Sequence, residues 1–501
     1  MLRKGRLGYL NRVVLALFIV TMSLVAVQRL IVADTQIDWD EELYFEIGRF
    51  WEQGVIPYRD IFDHKPPMIY VFYMMLSWGG RMFSVRSAVA ALLLVSCFLM
   101  FRELKRVTQA GGEQPNWPLF LFLTAVLCSL MSHGTASGTN TELVYVPLLV
   151  LSLWLLLSDR PVPAAICAAL ALEVKYTVLA DVIGVGMVYY LVTKESRERT
   201  RSLLTWSLLV ALIALGMYGM FYAYFRTRGI DLIQEIVVRN IMHASQSEAS
   251  ILDPAGGFVR FMEIAVVVSV CVLLPTGLEV VHKRLLVGAS IWFALSLLQG
   301  CVTRQYYLHY FIPAFVPLTL IWGSMKVDYR WVVPLFIVLV GVECVEVSGS
   351  YHWLNDYRAA TQRYRPFCGA IDDGGYVLTS FLAAYRICNA PTVDKFVFPA
   401  FYLQDHFAQV SGSGGLEALR SKTEQGKVAS IITTRALLED LGPRLQVPNS
   451  ELKIVPDTAW PHQILRAVLL RESESPSSRA QFSANTWQAF RAPTLTTNLL
   501  P

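Results

Sequence analysis

The sequence predicts a polytopic α-helical membrane protein of about eleven spans over 1–347, followed by a small α/β domain over 348–501 beyond the membrane. Three observations predict it. The 501-residue chain is 54% hydrophobic and 16% charged, with mean hydropathy +0.45, whereas soluble domains carry roughly 25% charged residues. Apolar runs near the ~20 residues needed to cross the hydrocarbon core recur through the first 350 positions. After residue 348 the runs shorten and alternate with helix-like and polar stretches.

The start, "MLRKGRLGYLNRVVLALFIVTMSLVAVQRLIV", has a basic head and a long apolar stretch but no small-residue cleavage site, which predicts a retained helix over 13–32. Further spans are predicted at 84–101, 118–133, 142–158, 163–175, 177–193, 203–224, 258–275, 285–300, 311–325 and 331–347. One tilted or broken segment is the alternative to the pair within 163–193. With the N-terminus inside, the basic clusters that begin at Arg3, Arg102, Arg160, Lys194, Lys283 and Lys326 all fall on one side, as the positive-inside rule requires. Eleven spans then leave the tail outside the cytoplasm, whereas ten would break the agreement.

In the tail, "YVLTS" at 376–380, "KVASIITT" at 427–434 and "QILRAVLLR" at 463–471 are the short apolar runs, with the loop "SGSGG" at 411–415. The Ser- and Pro-rich end from "ESESPSSRAQ" onward is expected to be loosely ordered. Six of the eight cysteines sit in or against apolar spans, and Cys368 and Cys388 fall in the tail. An oxidising compartment would permit a disulfide between those two; two cysteines do not establish one. The net charge of +4 is scattered among loops and forms no stripe, so no nucleic-acid partner is expected.

The first outer loop, 38–80, holds the densest chemistry. Asp38, Asp40, Glu41 and Glu42 crowd the start of a predicted helix, 40–51, whose Leu43, Ile47, Phe50 and Trp51 form an apolar face suited to the bilayer surface. Asp38 with Glu41 is a capping pair, and acids complement a helix start. That ordinary explanation covers one or two acids, not four. "FDHKPP" then sets Lys65 ahead of two prolines that stiffen the backbone, before an aromatic helix at 68–78. A lysine so held suits a phosphate; its ordinary counterpart is a snorkelling lysine. Acids and a fixed cation together fit glycosyl transfer, which needs a base for the acceptor hydroxyl and charge to stabilise a leaving phosphate.

"DEELYFEIGRFWEQG…PYRDIFDHKPPMIY" resembles the first periplasmic loop of the GT-C membrane glycosyltransferases. Within them it is similar to glycosyltransferase family 39, the protein O-mannosyltransferase-like set that includes the bacterial aminoarabinose transferase. The resemblance implies a GT-C fold in the bacterial inner membrane, with the site and the C-terminal domain facing the periplasm. It also implies a polyprenyl-phosphate-sugar donor, usually with inversion, and a glycolipid acceptor. On matching positions Asp40 is the catalytic base, Glu41 its neighbour in the same element, and Lys65 the ligand of the lipid phosphate; Tyr58 joins the substrate-binding set. His64 stands where the aminoarabinose enzymes have an acid, so neither their sugar nor their metal contact carries over. The family allows a divalent metal without fixing one.

Glu142, at the entry of the "SGTNTELVYVPLLV" span, is similar in place to the family's second-loop acid and is expected to orient the acceptor or bind metal; the ordinary alternative is a helix-start acid. In "CVTRQYYLHYFIP", Arg304 and then His309 are the candidates to grip phosphate or sugar, against an aromatic belt as the plain reading. Lys175, beside Glu173, reads as half of a local ion pair capping a short half-span and is left unassigned, with a role near the lipid phosphate as the alternative. Asn240 and His243 are placed to meet an acceptor, though nothing in their spacing says so. Lipopolysaccharide core or lipid A, with galacturonic acid as the sugar by analogy with rhizobial enzymes, is the expected acceptor system. Protein hydroxyls, or transport of lipid-linked sugars, are the alternatives; a transporter would show repeated halves and charged or broken helices near mid-membrane, whereas the polar groups here gather at the outer ends and no halves repeat.

Overall fold

The structure, a computed structural model, describes residues 2–77, 80–109, 117–129, 138–193, 197–246, 282–302, 308–324, 332–373, 375–377, 382–389, 413, 415–425, 427, 430–434 and 452–455. The chain divides into two compact units, Met1–Arg59 with Asp63–Asn355, and Asp60–Phe62 with Asp356–Pro501.

The first unit is helical: α1 (Leu2–Ile31), α2 (Trp39–Glu52), α3 (Pro67–Leu76), α4 (Met82–Gln109), α5 (Trp117–Ser129), α6 (Thr141–Leu157), α7 (Pro161–Val174), α8 (Leu179–Val192), α9 (Arg197–Arg226), α10 (Arg239–Gln246), α11 (Lys283–Val302), α12 (Phe315–Gly323) and α13 (Val332–Tyr364). Among the described residues five segments are long and apolar enough to cross a bilayer, namely Asn11–Ile31, Met82–Glu103, Arg197–Arg226, Lys283–Cys301 and Val332–Ile371. The expected spans at 142–158, 163–175, 177–193 and 311–325 form shorter apolar helices instead. At about 1.5 Å per residue the 17 residues of α6 reach roughly 25 Å. α6 is buried on nearly every face, so protein rather than lipid surrounds it. The expected span at 258–275 lies outside the described residues, and α13 runs on past 347, to Tyr364.

Small residues set the close packing. The alanines of α7 at 164, 165, 168, 169 and 171 are fully buried, and α7 lies against α6 and α9; small side chains let helix backbones approach in lipid. α8 packs on α11, where a Cβ on Gly184 would collide with the Trp292 ring. The pair read within 163–193 is resolved by Lys175, whose extended backbone (φ −157°, ψ 115°) separates α7 from a short 3₁₀ turn, Tyr176–Val178, that leads into α8.

Helix α2 departs from the expected surface helix. Leu43, Ile47 and Phe50 are buried, and so are Glu41, Glu42 and Glu46. It packs against α3 inside the protein. The acids therefore need protein partners rather than water.

In the second unit, α14 (Cys368–Asp372), α15 (Ala383–Cys388) and α16 (Gly415–Glu424) accompany β1 (Gly375–Val377), β2 (Ser430–Thr434) and β3 (Leu452–Val455). The strands form a parallel sheet in the order β1-β2-β3, with Tyr376 opposite Ile431 and Ile432 opposite Lys453. Two of the three apolar runs noted in the tail contain strands; 463–471 lies outside the described residues. Cys368 and Cys388 are joined by a disulfide that ties α14 to α15.

Candidate active site

The start of α2 sorts its acids by direction. Asp38 is the N-cap and accepts a hydrogen bond from the Asp40 amide at 3.4 Å, satisfying a donor the helix leaves open. Glu41 does not reach back to complete the expected capping pair. It turns inward to Arg86 of α4, with Nε–Oε1 at 2.9 Å and Nη2–Oε2 at 2.5 Å, both residues fully buried. Arg86 also donates to the carbonyls of Val32 at 2.6 Å and Thr35 at 2.8 Å, just past the end of α1. Glu41 Oε1 takes the Thr139 amide at 2.7 Å. Gly138, at φ +71°, packs so close that a Cβ there would strike the Glu41 carboxylate. Burial pushes the Glu41 carboxyl up, but the Arg86 charge and these hydrogen bonds outweigh it and hold it below the ordinary value. This clamp joins α1, α2, α4 and the second loop. Glu41, expected in the catalytic set, is here fully buried with both carboxylate oxygens bound.

Asp40, one residue before Glu41 and about 100° around the helix, is half-buried and accepts the Tyr44 hydroxyl at 3.2 Å. The Tyr44 ring lies 5.8 Å from Lys65 Nζ, within cation–π range, so Tyr44 stands between the acid and the lysine. The backbone around Lys65 is bound from several sides. Its carbonyl accepts the Tyr58 hydroxyl at 2.6 Å, and the His64 carbonyl accepts Asn240 Nδ2 at 2.7 Å. Pro67 opens α3 directly behind. Tyr58 is buried with φ +67°, a conformation that costs energy outside glycine. Its hydroxyl, expected to meet substrate, donates here to the Lys65 carbonyl and braces the backbone beside the lysine.

His64 links Lys65 to a buried acid. Lys65 Nζ lies 3.2 Å from His64 Nε2, and His64 Nδ1 lies 3.3 Å from Asp63 Oδ1. With the ammonium as donor, the ring accepts at Nε2 and carries its proton at Nδ1, facing the carboxylate. Asp63 also accepts the Tyr70 hydroxyl at 2.9 Å and the His64 amide at 2.7 Å. Burial pushes the Asp63 carboxyl up against the opposing Lys65 charge, with a net rise. Burial pushes the Lys65 ammonium down, yet the charges of Asp63, Asp40, Glu142 and Asp38 prevail and raise it. Lys65 stays a cation.

The second cation comes from the α7–α8 break. Lys175 pairs with Glu142 Oε1, and Thr141 Oγ1 donates to Glu142 Oε2 at 2.8 Å. The Lys175 Nζ sits 4.0 Å over the Tyr310 ring, which meets His309 edge-on at 4.5 Å. Lys175 thus bonds Glu142 rather than the Glu173 expected from sequence. His309 feels the charges of Glu142, Lys175, Asp40 and Lys65, and Lys175 those of Lys65 and Asp40. One charged site therefore gathers both loops, the α7–α8 break and the short helical turn Leu308–Ala314.

Of the residues expected from sequence, Asp40, Lys65, His64, Glu142 and His309 come together here. Arg304 lies outside the described residues, as does the His243 side chain. Sequence reasoning passed over Arg86 and the pairing of Lys175 with Glu142. A charged residue inside an apolar run was the available signal for Arg86 and Lys175. Among the described residues no three His, Cys, Asp or Glu side chains group as a metal cluster.

The model of glycosyltransferase family 87 matches residues 64–322, a little over half of the chain. The chain belongs to glycosyltransferase family 87. The match opens at His64 and takes in Lys65, Glu142, Lys175 and His309, while Asp40 and Glu41 precede it. No curated protein matches the chain. The first-loop motif had pointed to family 39. An acid followed by a fixed lysine answers to the chemistry of displacing a phosphate, and such chemistry does not single out a family. As a member of family 87 with its apolar helices, the protein is a multi-pass membrane glycosyltransferase of a GT-C-like kind.

Proposed function

We propose that this family 87 enzyme transfers a sugar from a polyprenyl-phosphate donor to a hydroxyl on a cell-envelope glycolipid, at the periplasmic face of a bacterial inner membrane. One observation carries the reading: Asp40 is half-buried, takes one hydrogen bond, from Tyr44, and stands across that tyrosine from Lys65. Asp40 removes the proton from the acceptor hydroxyl as its oxygen bonds to the anomeric carbon. The bond from that carbon to the phosphate oxygen breaks, and the lipid phosphate leaves with the electron pair, stabilised by Lys65. Attack opposite the leaving group inverts the anomeric centre. Glu142 and His309 line the acceptor side, and Lys175 adds positive charge toward the phosphate. Residues 348–501 form a small α/β domain on the same side of the membrane, and eleven spans is the count that puts it there.

The acceptor is lipopolysaccharide core or lipid A, and a uronic acid such as galacturonic acid is the sugar that two lysines would suit. Protein hydroxyls are the second acceptor class. Mass spectrometry of lipid A, core oligosaccharide and envelope glycoproteins tests both, in cells lacking the protein and in cells complemented with wild type or Asp40→Asn. Loss of one sugar from one glycan, restored by wild type alone, supports the assignment and names the acceptor. Unchanged glycan masses, or full restoration by Asp40→Asn, overturn it.

A further inference from the structure

A second polar site, unused by the transfer reaction, lies at the far ends of α4 and α6. A cavity of about 600 Å³ is bordered by Arg102, Glu103, Arg106, Trp154, Ser158 and Arg160. On α4, Arg102 follows Arg86 by 16 residues, and Ser158 follows Glu142 by 16 at the end of α6. At about 1.5 Å per residue both helices place the cavity roughly 24 Å from the acid–lysine site. That is most of the ~30 Å hydrocarbon core, so the cavity belongs to the opposite head-group layer.

Its charge is unbalanced. Glu103 is taken by Arg106, with Nε–Oε1 at 2.6 Å, and Arg106 also donates to the Leu157 carbonyl at 3.0 Å. That leaves the exposed guanidinium groups of Arg102 and Arg160, which have no bonded partner among the described residues. The Trp154 Nε1–H is buried with no acceptor. Basic residues alone gather in clusters at one face of a membrane. Here they converge from two elements on one concavity, whose volume falls in the ~300–1,000 Å³ range of small-ligand sites. Guanidinium forks bind phosphate oxygens in pairs, and phosphodiesters are the anions held at this depth.

We infer that this cavity binds the phosphate of an anionic phospholipid head group. Trp154 makes the test direct. The full chain, in nanodiscs containing brominated phosphatidylglycerol or brominated phosphatidylcholine, is read by the tryptophan emission lost in Trp154→Phe. The brominated anionic lipid should quench that signal at several-fold lower mole fraction than the neutral one. Arg102→Gln and Arg160→Gln should each raise the half-quenching fraction about tenfold, the size of one charge-assisted hydrogen bond. Melting temperatures in neutral detergent should match wild type, which separates a lost site from a lost fold. Equal quenching by the two lipids, or a preference that survives both substitutions together, overturns the inference. So does inorganic phosphate at millimolar concentration if it stabilises wild type in neutral detergent as much as phosphatidylglycerol does; the site would then take free phosphate.

Discussion

The Asp40–Lys65 edge of the site and the Glu142–Lys175 edge carry the same charges in different states. Asp40 and Lys65 are each bonded to a neutral group, the Tyr44 hydroxyl and the His64 ring, and are not bonded to each other. Glu142 and Lys175 bond directly, with Glu142 fully enclosed. An ion pair already closed has spent its charge on its partner, whereas separated charges keep theirs for a substrate. In the proposed reaction the open edge would handle proton and phosphate, and the closed edge would set the floor beneath them.

The largest test of that contrast is Asp40→Asn, which should lower kcat about 10²–10⁴-fold in a transfer assay with lipid-linked sugar while leaving the melting temperature unchanged. Retention of a tenth of the activity would remove Asp40 as the base. Lys65→Met should cost about 10²–10³-fold and raise KM for the lipid-linked donor more than for the acceptor. Equal effects on both substrates would break its assignment to phosphate.

On the closed edge, Glu142→Gln leaves a buried lysine uncompensated and should destabilise the protein by about 3–5 kcal/mol. Adding Lys175→Met should recover most of that loss in a melting experiment. If single and double variants melt alike, the two residues are not coupled.

A pH series sharpens the difference for the buried clamp. The Glu41 carboxyl is held below its ordinary value of 4.5, so its charge stabilises the fold in full above that value. The contribution is lost as pH falls through the lower, folded-state value. The gap in melting temperature between wild type and Glu41→Gln should thus stay constant at neutral pH and narrow only below about 4.5. For Lys65, whose ammonium is raised, the contribution persists below the ordinary lysine value and is lost only as pH rises through the folded one. No change from that group is expected near neutrality. The smallest effect belongs to Tyr58→Phe, which removes one hydrogen bond to the Lys65 carbonyl and should cost about 1 kcal/mol, seen as a several-fold loss of kcat.

What the sequence determined by itself was the medium and the address of the chemistry. Low charge and recurrent apolar runs require a membrane, because such surface cannot face water. The acids of 38–42 and the lysine before two prolines are local signals, since capping and proline stiffness act within a few residues. Local signals also explain why α2, α3 and the break at Lys175 were legible near their observed bounds.

Tertiary structure alone decided what each charge does. Glu41 and Asp40 are neighbours of one type, separated in role by a turn of about 100° that aims one at Arg86, 45 residues away, and leaves the other open. Lys175 chose Glu142 over nearby Glu173 because a chain break, not sequence distance, set where its ammonium could reach. Side-chain partners across a helical bundle follow from packing angles and close approach at residues such as Gly138 and Gly184, and no local pattern encodes those.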